Sequence, residues 1–320
     1  MVEVEAATGG ARPTRGLRWL SSRDVESLPV GEVVAALERA LLDGLQPERD
    51  GQRTRLGTEH GEMLLMPATS ELVTGVKVVT SRPGNEVQHG LPLIQGVYVL
   101  FDGATLQPAA LLDGAAVTSL RTPAVSALAA RYLTPPSPAR LVVFGAGVQA
   151  RGHVRAMAAV RELEDVVVVT RRPQAADALV AEARAAGLPA RAGRAQDVAE
   201  ASLVVCATSA RTPLFSGALP PEGALVVAIG SHHQDAREVD SLFASRAQVV
   251  VESRTSALRE AGDVLLAMED GVLREEELVA LADVVTGRRP VDLARPRLFK
   301  GTGMPWQDLV TAAAVVGSAA

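Results

Sequence analysis

Arg140-Leu-Val-Val-Phe-Gly-Ala-Gly-Val-Gln-Ala150 and, after a polar helical stretch, Asp165-Val-Val-Val-Val-Thr-Arg-Arg172 decide the fold. Leu141 to Phe144 is a short apolar run of the length of a buried strand. Gly145, Gly147 and Ala150 follow in G-x-G-x-x-A spacing. The first glycine permits a tight turn, the second lets backbone approach a pyrophosphate, and Ala150 is small enough for helix and strand to pack closely. The spacing puts the helix N-terminus at Val148 and Gln149, whose N–H groups face phosphate oxygens, with Ala146 inside the turn. A second apolar strand, Val166 to Val169, arrives about 20 residues later, as a βαβ unit requires. A glycine-rich turn in an ordinary α/β sheet is the bland alternative. A strand before the turn, a helix after it and a second strand on schedule favour the dinucleotide site.

The second strand ends in Thr170, Arg171 and Arg172, where NAD-binding chains place an acidic residue on the ribose hydroxyls. Two guanidiniums suit a 2′-phosphate, so the cofactor is read as NADPH, with NADH as the alternative. Solvated arginines are the plain reading of the same pair.

From Arg140 to about Arg297 strands and helices alternate, with candidate strands at 141–144, 166–170, 203–206, 224–229 and 248–251. Before Arg140 the pattern differs. A helix spans Val30 to Leu42, then strand-like runs follow at 52–56, 63–66, 72–80, 95–101 and 106–112 without intervening helices. That order predicts an antiparallel or mixed sheet in a separate unit. Thr122 and Pro123 read as the N-cap and first position of a helix through Leu133. The segment from Phe299 reads as opening a last apolar helix that ends near Val316 and returns to the first unit. The predicted class is α/β: a Rossmann domain over 122–300 and a mixed α+β domain over 16–121 with 301–320. Residues 1–15, polar and aperiodic, read as a disordered tail.

The 320 residues carry a formal net charge of −5, so no basic surface advertises nucleic acid. No apolar run approaches a membrane span, and the N-terminus lacks the order of a signal peptide, so the expected place is the cytoplasm. One cysteine, Cys206, excludes an intrachain disulfide and sits in a core strand pattern.

Only two of the 32 basic residues are lysine, Lys77 and Lys300. Arginine holds its proton under all working conditions, whereas burial tunes lysine to trade one. Lys77 lies in the apolar strand Val-Thr-Gly-Val-Lys-Val-Val-Thr, where a charge needs a reason. Arg53 and Arg121 are the arginines that would clamp a carboxylate beside it, and Lys77 would polarise or protonate a reacting C=N or C=O. Surface ion pairs are the plain reading of each arginine alone. His232 and His233 follow a strand with no third ligand at metal spacing, so no metal is expected. His232 is a candidate proton donor or substrate contact.

Met66-Pro67, Gly75-Val-Lys77, Pro83-Gly-Asn85, Gly90-Leu91-Pro92, Gln95-Gly96, Leu112-Asp113-Gly114, Thr118-Ser-Leu-Arg-Thr122, Ser126-Ala-Leu-Ala-Ala130, Gly145-Ala-Gly-Val-Gln149, Glu260-Ala-Gly-Asp263 and the Phe299-Lys300 to Gln307-Asp308-Leu309 ending form an ordered set. From about Leu17 to Val316 this set resembles the ornithine cyclodeaminase/μ-crystallin family. The resemblance implies a homodimer, with a substrate and dimerisation domain joined to an NAD(P)-binding domain. It implies that Arg53, Lys77 and Arg121 hold the substrate carboxylate and reacting nitrogen. Val148, Gln149 and Thr208 would touch the cofactor, and Gly301 and Thr302 would close over nicotinamide and substrate.

Two departures define the expected activity. The glutamate that cyclodeaminases carry before Met-Pro falls at Leu64, and their catalytic aspartate falls at His232. The chain therefore looks more like the family's reductases of Δ1-pyrroline-2-carboxylate or Δ1-piperideine-2-carboxylate, which yield proline or pipecolate. Ornithine or lysine cyclodeamination, alanine dehydrogenation and a non-catalytic NADPH-binding role like that of a μ-crystallin are the alternatives.

Overall fold

The structure is a computed structural model that describes residues 16–231 and 233–319. The tail over 1–15 and His232 therefore lie outside the described residues. Two sheets carry the architecture. The first holds β1 (Arg18–Leu20), β2 (Thr54–Thr58), β3 (Gly61–Thr69), β4 (Val73–Ser81), β5 (Ile94–Asp102) and β6 (Pro108–Asp113), in the order β1-β6-β5-β4-β3-β2. β2 to β6 run antiparallel to their neighbours, and β1 joins β6 in parallel, so the sheet is mixed. The period-2 pattern of β4 sends Gly75, Lys77 and Val79 to the buried face and Val76 and Val78 to the other.

The second sheet holds β7 (Ala139–Phe144), β8 (Leu163–Val169), β9 (Ala190–Ala192), β10 (Leu203–Cys206), β11 (Leu225–Ala228), β12 (Gln248–Val251), β13 (Val279–Ala280) and β14 (Arg297–Lys300). Their order is β13-β12-β14-β11-β10-β7-β8-β9, and every pair is parallel. Helices cover both faces, which explains why its strands are continuous apolar runs. The chain leaves β7 first toward β8, then returns to β10 on the other side. The crevice at the carboxyl ends of β7 and β10 is thus the switch point at which such sheets bind ligands.

Two readings of the sequence are corrected. The helix expected from Pro123 instead starts at Gly114 and runs to Leu133. Asp113 caps it, its Oδ1 accepting from Ala116 N at 2.9 Å. Pro123 therefore lies inside the helix, as does Arg121, and a domain boundary drawn at Thr122 crosses a continuous element. Pro123 cannot donate back along the helix. Beside Pro123 the Val148–Val160 helix packs so closely that a Cβ on Gly152 would meet Pro123 Cγ at 2.7 Å. The second correction concerns Phe299 and Lys300. They end β14, which is fully buried between β11 and β12, and the last helix begins only at Pro305. That helix, Pro305–Ser318, packs against β3, β4 and the Val30–Leu42 and Gly114–Leu133 helices of the first unit.

Candidate active site

Lys77 sits on β4 opposite Met66 of β3 and Tyr98 of β5, with 1% of its surface exposed. Its Nζ donates to Asp308 Oδ1 at 2.8 Å and to Thr118 Oγ1 at 3.1 Å. The same Asp308 oxygen accepts from Arg121 Nε at 2.9 Å. One buried carboxylate on the last helix thus orients both the lysine and the arginine. The other oxygen, Oδ2, is buried without a partner.

Arg53 reaches the same place from the other side. Its guanidinium donates to the carbonyls of Thr302 at 2.9 Å and Gly303 at 2.7 Å, and pairs with Glu260 at 3.4 Å. Gly303 has φ +81°, and a Cβ there would meet the Arg121 guanidinium at 2.6 Å. Only glycine lets the loop pass between the two arginines. Glu252 holds this loop: its Oε2 accepts from Thr302 N and Gly303 N, both at 2.8 Å, and Oε1 accepts from Gln307 Nε2 at 2.8 Å.

Lys77, Arg121 and Arg53 share this cluster with Asp308, Glu260 and Glu252. Burial, then repulsion from Arg121, lowers Lys77 to about 7 against the pull of Asp308. Burial works to raise Asp308, but Lys77 and Arg121 outweigh it and hold the carboxyl below the ordinary range. The two directions agree physically: Asp308 serves two cations, whereas Lys77 shares one anion and faces two arginines. Asp50, whose Oδ2 accepts from Trp306 N at 2.7 Å, is raised to about 7 by burial. A cleft of about 610 Å³ opens beside Arg53, flanked by Arg55, His233, Gln234, Asp235, Arg259 and Glu260. Leu64, on the same buried face as Lys77, brings an apolar side chain where a carboxylate would have managed an amine.

The glycine turn lies at the end of β7. Gly145 has φ +108°, and a Cβ there would meet the Ala207 carbonyl oxygen at 2.4 Å. Gly147 caps the Val148–Val160 helix with no side chain bonded to the helix end, and nothing lies within 4 Å of where its Cβ would be. Ala150 is fully buried, and Gln149 Oε1 is buried without a partner. An open, uncapped helix N-terminus at the sheet's switch point fits a dinucleotide pyrophosphate. Thr170 follows β8, its Oγ1 donating to the Arg172 carbonyl at 2.6 Å, and Arg171 and Arg172 are exposed. Thr208 lies beyond β10, and Gly301 directly follows β14.

The structure thus brings Arg53, Lys77, Arg121 and Thr302 around Gly303, and sets Gly145–Ala150, Thr170–Arg172, Thr208 and Gly301 along the carboxyl ends of the parallel strands. Sequence reasoning missed Asp308, Glu252 and Glu260 as members of the site. Asp308 had a signal: a lysine in an apolar strand demands a buried counter-charge. No metal-holding group of His, Cys, Asp or Glu occurs among the described residues.

Known proteins share this fold. The Δ1-pyrroline-2-carboxylate reductase of Colwellia psychrerythraea is 35% identical over 266 residues, covering 80% of this chain and 84% of that protein. The Thermococcus litoralis Δ1-pyrroline-2-carboxylate reductase, solved in complex with NADH and L-proline, superposes with a TM-score of 0.89 at 31% identity, covering 95% of this chain and 97% of that one. An archaeal alanine dehydrogenase, solved as a dimer with bound NAD, superposes at 0.88 with 28% identity, covering 95% and 96%. The family model for ornithine cyclodeaminase and mu-crystallin matches residues 27–320. With Lys77 on one sheet beside Arg53 and Arg121, and a glycine turn at the switch point of the other, this chain belongs to the ornithine cyclodeaminase/mu-crystallin family.

Proposed function

We propose that the chain reduces a cyclic α-imino acid, Δ1-pyrroline-2-carboxylate or Δ1-piperideine-2-carboxylate, to L-proline or L-pipecolate with NAD(P)H. The observation that carries the reading is the meeting of Lys77 and Arg121 on one buried carboxylate, Asp308, with Arg53 beside them. Arg53 lines a cleft next to this cluster, and its Nε is a buried donor with no hydrogen-bond partner among the described residues. A substrate carboxylate is the anion such a group of cations takes, and guanidinium forks match its geometry. The apolar Leu64 speaks against ornithine cyclodeamination, which needs acids to manage amines.

In this mechanism Arg53 and Arg121 hold the carboxylate and thereby set the imine carbon and nitrogen. Lys77, lowered to about 7, holds a proton it can release and donates it to the imine nitrogen. That makes the adjacent carbon electrophilic. When bound, the reduced nicotinamide supplies the hydride that this carbon receives. Asp308 keeps Lys77 aimed throughout, and Lys77 recovers its proton from the cleft. Thr302, on the loop held by Glu252, closes over the reacting pair, with His232 as a further proton donor or substrate contact.

Gly145 to Ala150 and Thr208 would bind the dinucleotide, and Arg171 and Arg172 its 2′-phosphate, which favours NADPH over NADH. The functional division is a substrate and pairing unit (16–121 with 301–320) and a dinucleotide unit (122–300), bridged by the Gly114–Leu133 helix. Met63, Leu65, Val76, Val78, Val97, Val99 and Phe101 form a half-exposed apolar face on the first sheet, opposite Lys77. We assign it to pairing with a second copy, since an apolar face of this extent marks an interface. Among the described residues no helix is long and apolar enough to cross a membrane. We place the enzyme in the cytoplasm, where reduced cofactor is available and a free thiol such as Cys206 stays reduced.

The test is direct. Purified protein, given NADPH or NADH and each cyclic imine, is expected to consume the reduced cofactor and form the L-amino acid. No consumption with either imine, or ammonia release from ornithine with catalytic NAD, would sink the reading.

A further inference from the structure

Lys300 is the second lysine of the chain, and the mechanism does not use it. It is 1% exposed, ion-paired with Asp263 Oδ2 at 2.9 Å, and donates to the Ser231 carbonyl at 2.6 Å. Asp263 Oδ1 in turn accepts the backbone N–H groups of Glu238 at 2.7 Å and Val239 at 2.9 Å. Glu238 is fully buried, and among the described residues its carboxylate bonds at two places. Oε1 accepts from Thr208 N at 2.9 Å and Thr208 Oγ1 at 2.7 Å, and Oε2 accepts from Gly230 N at 2.7 Å.

Those two places matched in register. Cys206 of β10 pairs with Ala228 of β11, so Thr208 and Gly230 each lie two residues beyond a paired strand end. There the strands have ended and their N–H groups have no ladder partner. One carboxylate spans the gap and satisfies both. The fit is tight, since a Cβ on Gly230 would meet Glu238 Oε1 at 2.5 Å. Burying a carboxylate is costly unless it is fully hydrogen-bonded and counter-charged. Here Lys300 and three loop donors meet that requirement, although burial still raises Glu238 above its ordinary value. An apolar side chain would fill the same volume more cheaply, but it would leave both loop ends free.

The loops so fixed carry Thr208 on one side and Gly230 and Ser231 on the other, beside the crevice where the dinucleotide crosses the sheet. Gly301, next to Lys300, donates to the Ala228 carbonyl at 3.1 Å and starts the loop that Glu252 holds. We infer that Glu238, held by Asp263 and Lys300, is the positioning residue that fixes the β10 and β11 end loops against the nicotinamide half of the dinucleotide. The inference rests on the dinucleotide assignment and is independent of which imino acid is reduced.

Glu238→Gln tests it. The amide keeps the volume and presents a donor to a loop N–H that needs an acceptor. Its NAD(P)H dissociation constant, read by titrating cofactor fluorescence without substrate, and its KM for the cofactor are expected to rise about ten- to a hundredfold, the loss of a hydrogen bond to a charged group. KM for the imino acid is expected to stay within about twofold. Thr208→Val, which removes one of the three bonds, shifts the cofactor constant in the same direction by less. A merely structural Glu238 would lower the melting temperature and leave that constant unmoved. A folded Glu238→Gln protein that binds NAD(P)H within twofold of the parent overturns the proposal. Should Glu238→Gln not fold, amide exchange on the unaltered protein decides: Thr208 and Gly230 are expected to exchange slowly before cofactor is added. Exchange as fast as an open loop overturns the proposal. Because the titration needs no turnover, failure of the imino-acid assignment leaves this test intact.

Discussion

Both lysines of this chain are buried against an aspartate on a helix, Lys77 on Asp308 at 2.8 Å and Lys300 on Asp263 at 2.9 Å. The pairs differ in what surrounds them. Around Lys77 stand Arg121 and Arg53, with Glu260 and Glu252 on the far side of Arg53, which lines a cleft. Around Lys300 the remaining charge is Glu238, and the surplus is negative. A buried surplus of one sign is unfavourable unless something completes it. Beside Lys77 the two arginines loosen its hold on the proton, and Arg53 Nε keeps a buried donor for a carboxylate ligand. In the second sheet the loop N–H groups at Thr208 and Gly230 complete it permanently. The same ion pair is thus a proton-trading device in one setting and a strut in the other, and the third charge decides which.

Exchanging each lysine breaks this comparison most directly. Lys77→Met is expected to lower kcat by about a thousandfold or more, the range of a general acid, with cofactor affinity within about twofold of the parent. The opposite pattern, weakened cofactor binding with turnover retained at saturation, would assign Lys77 the strut's role.

Arg121 is the cation that shares Asp308 with Lys77. Arg121→Lys keeps the charge but loses the fork, and is expected to raise the imino-acid KM about thirty- to a hundredfold with little change in cofactor KM. A change confined to the cofactor would show that Arg121 faces the other ligand.

pH sharpens the comparison further. Lys77 gives up its proton near 7, and the reduction uses the protonated form. The expected kcat/KM for reduction therefore falls as pH rises through about 7, by about tenfold per unit beyond it, because that ratio reports the free enzyme. Oxidation of the L-amino acid rises through the same range, since it needs the neutral amine. Lys77→Arg keeps its proton throughout, so whatever rate remains is expected to lose this limb. Retention of the limb would move the titration to another group, with Asp50, also near 7, the first to substitute.

The sequence made one side of this comparison far more legible than the other. Lysine scarcity singled out Lys77, and a charge in an apolar strand told that it was buried for a reason. Its partner Asp308 lies 231 residues away on the last helix, and no local pattern links the two. The helix carrying Arg121 was misplaced because Pro123 is a strong start signal, yet Asp113 had already capped the helix ten residues earlier, with Pro123 tolerated in its interior. Lys300 was read with the segment that opens the last helix, since Arg297–Lys300 is short and polar at both ends. Burial of those ends comes from tertiary partners: Arg297 donates to the carbonyls of Leu133 and Gly223, and Lys300 pairs with Asp263. By contrast β10 is apolar throughout, and β7 and β12 are apolar apart from Arg140 and Gln248 near their starts, because both faces are covered, and their bounds were readable to within two residues.

Arg171 and Arg172 give the smallest effect and the one most sensitive to conditions. Both are exposed at the end of β8, beyond the ribose side of the glycine turn, and neither belongs to either lysine cluster. Replacing both by Ala is expected to raise KM for NADPH about five- to twentyfold and leave NADH unchanged, since only the 2′-phosphate gains a fork. The gap between the cofactors is also expected to narrow as salt rises, because exposed charges are screened within about 10 Å at 0.1 M salt. The backbone there is held independently of the arginine side chains, by Thr170 Oγ1 on the Arg172 carbonyl at 2.6 Å. Equal loss of both cofactors would therefore point to a collapsed turn, while no loss of either would leave the arginines as solvated charges and remove the preference for NADPH. Either way the Lys77 cluster keeps its rate and its pH limb, because the cofactor's phosphate end and the proton-trading end are separate charge problems on separate sheets.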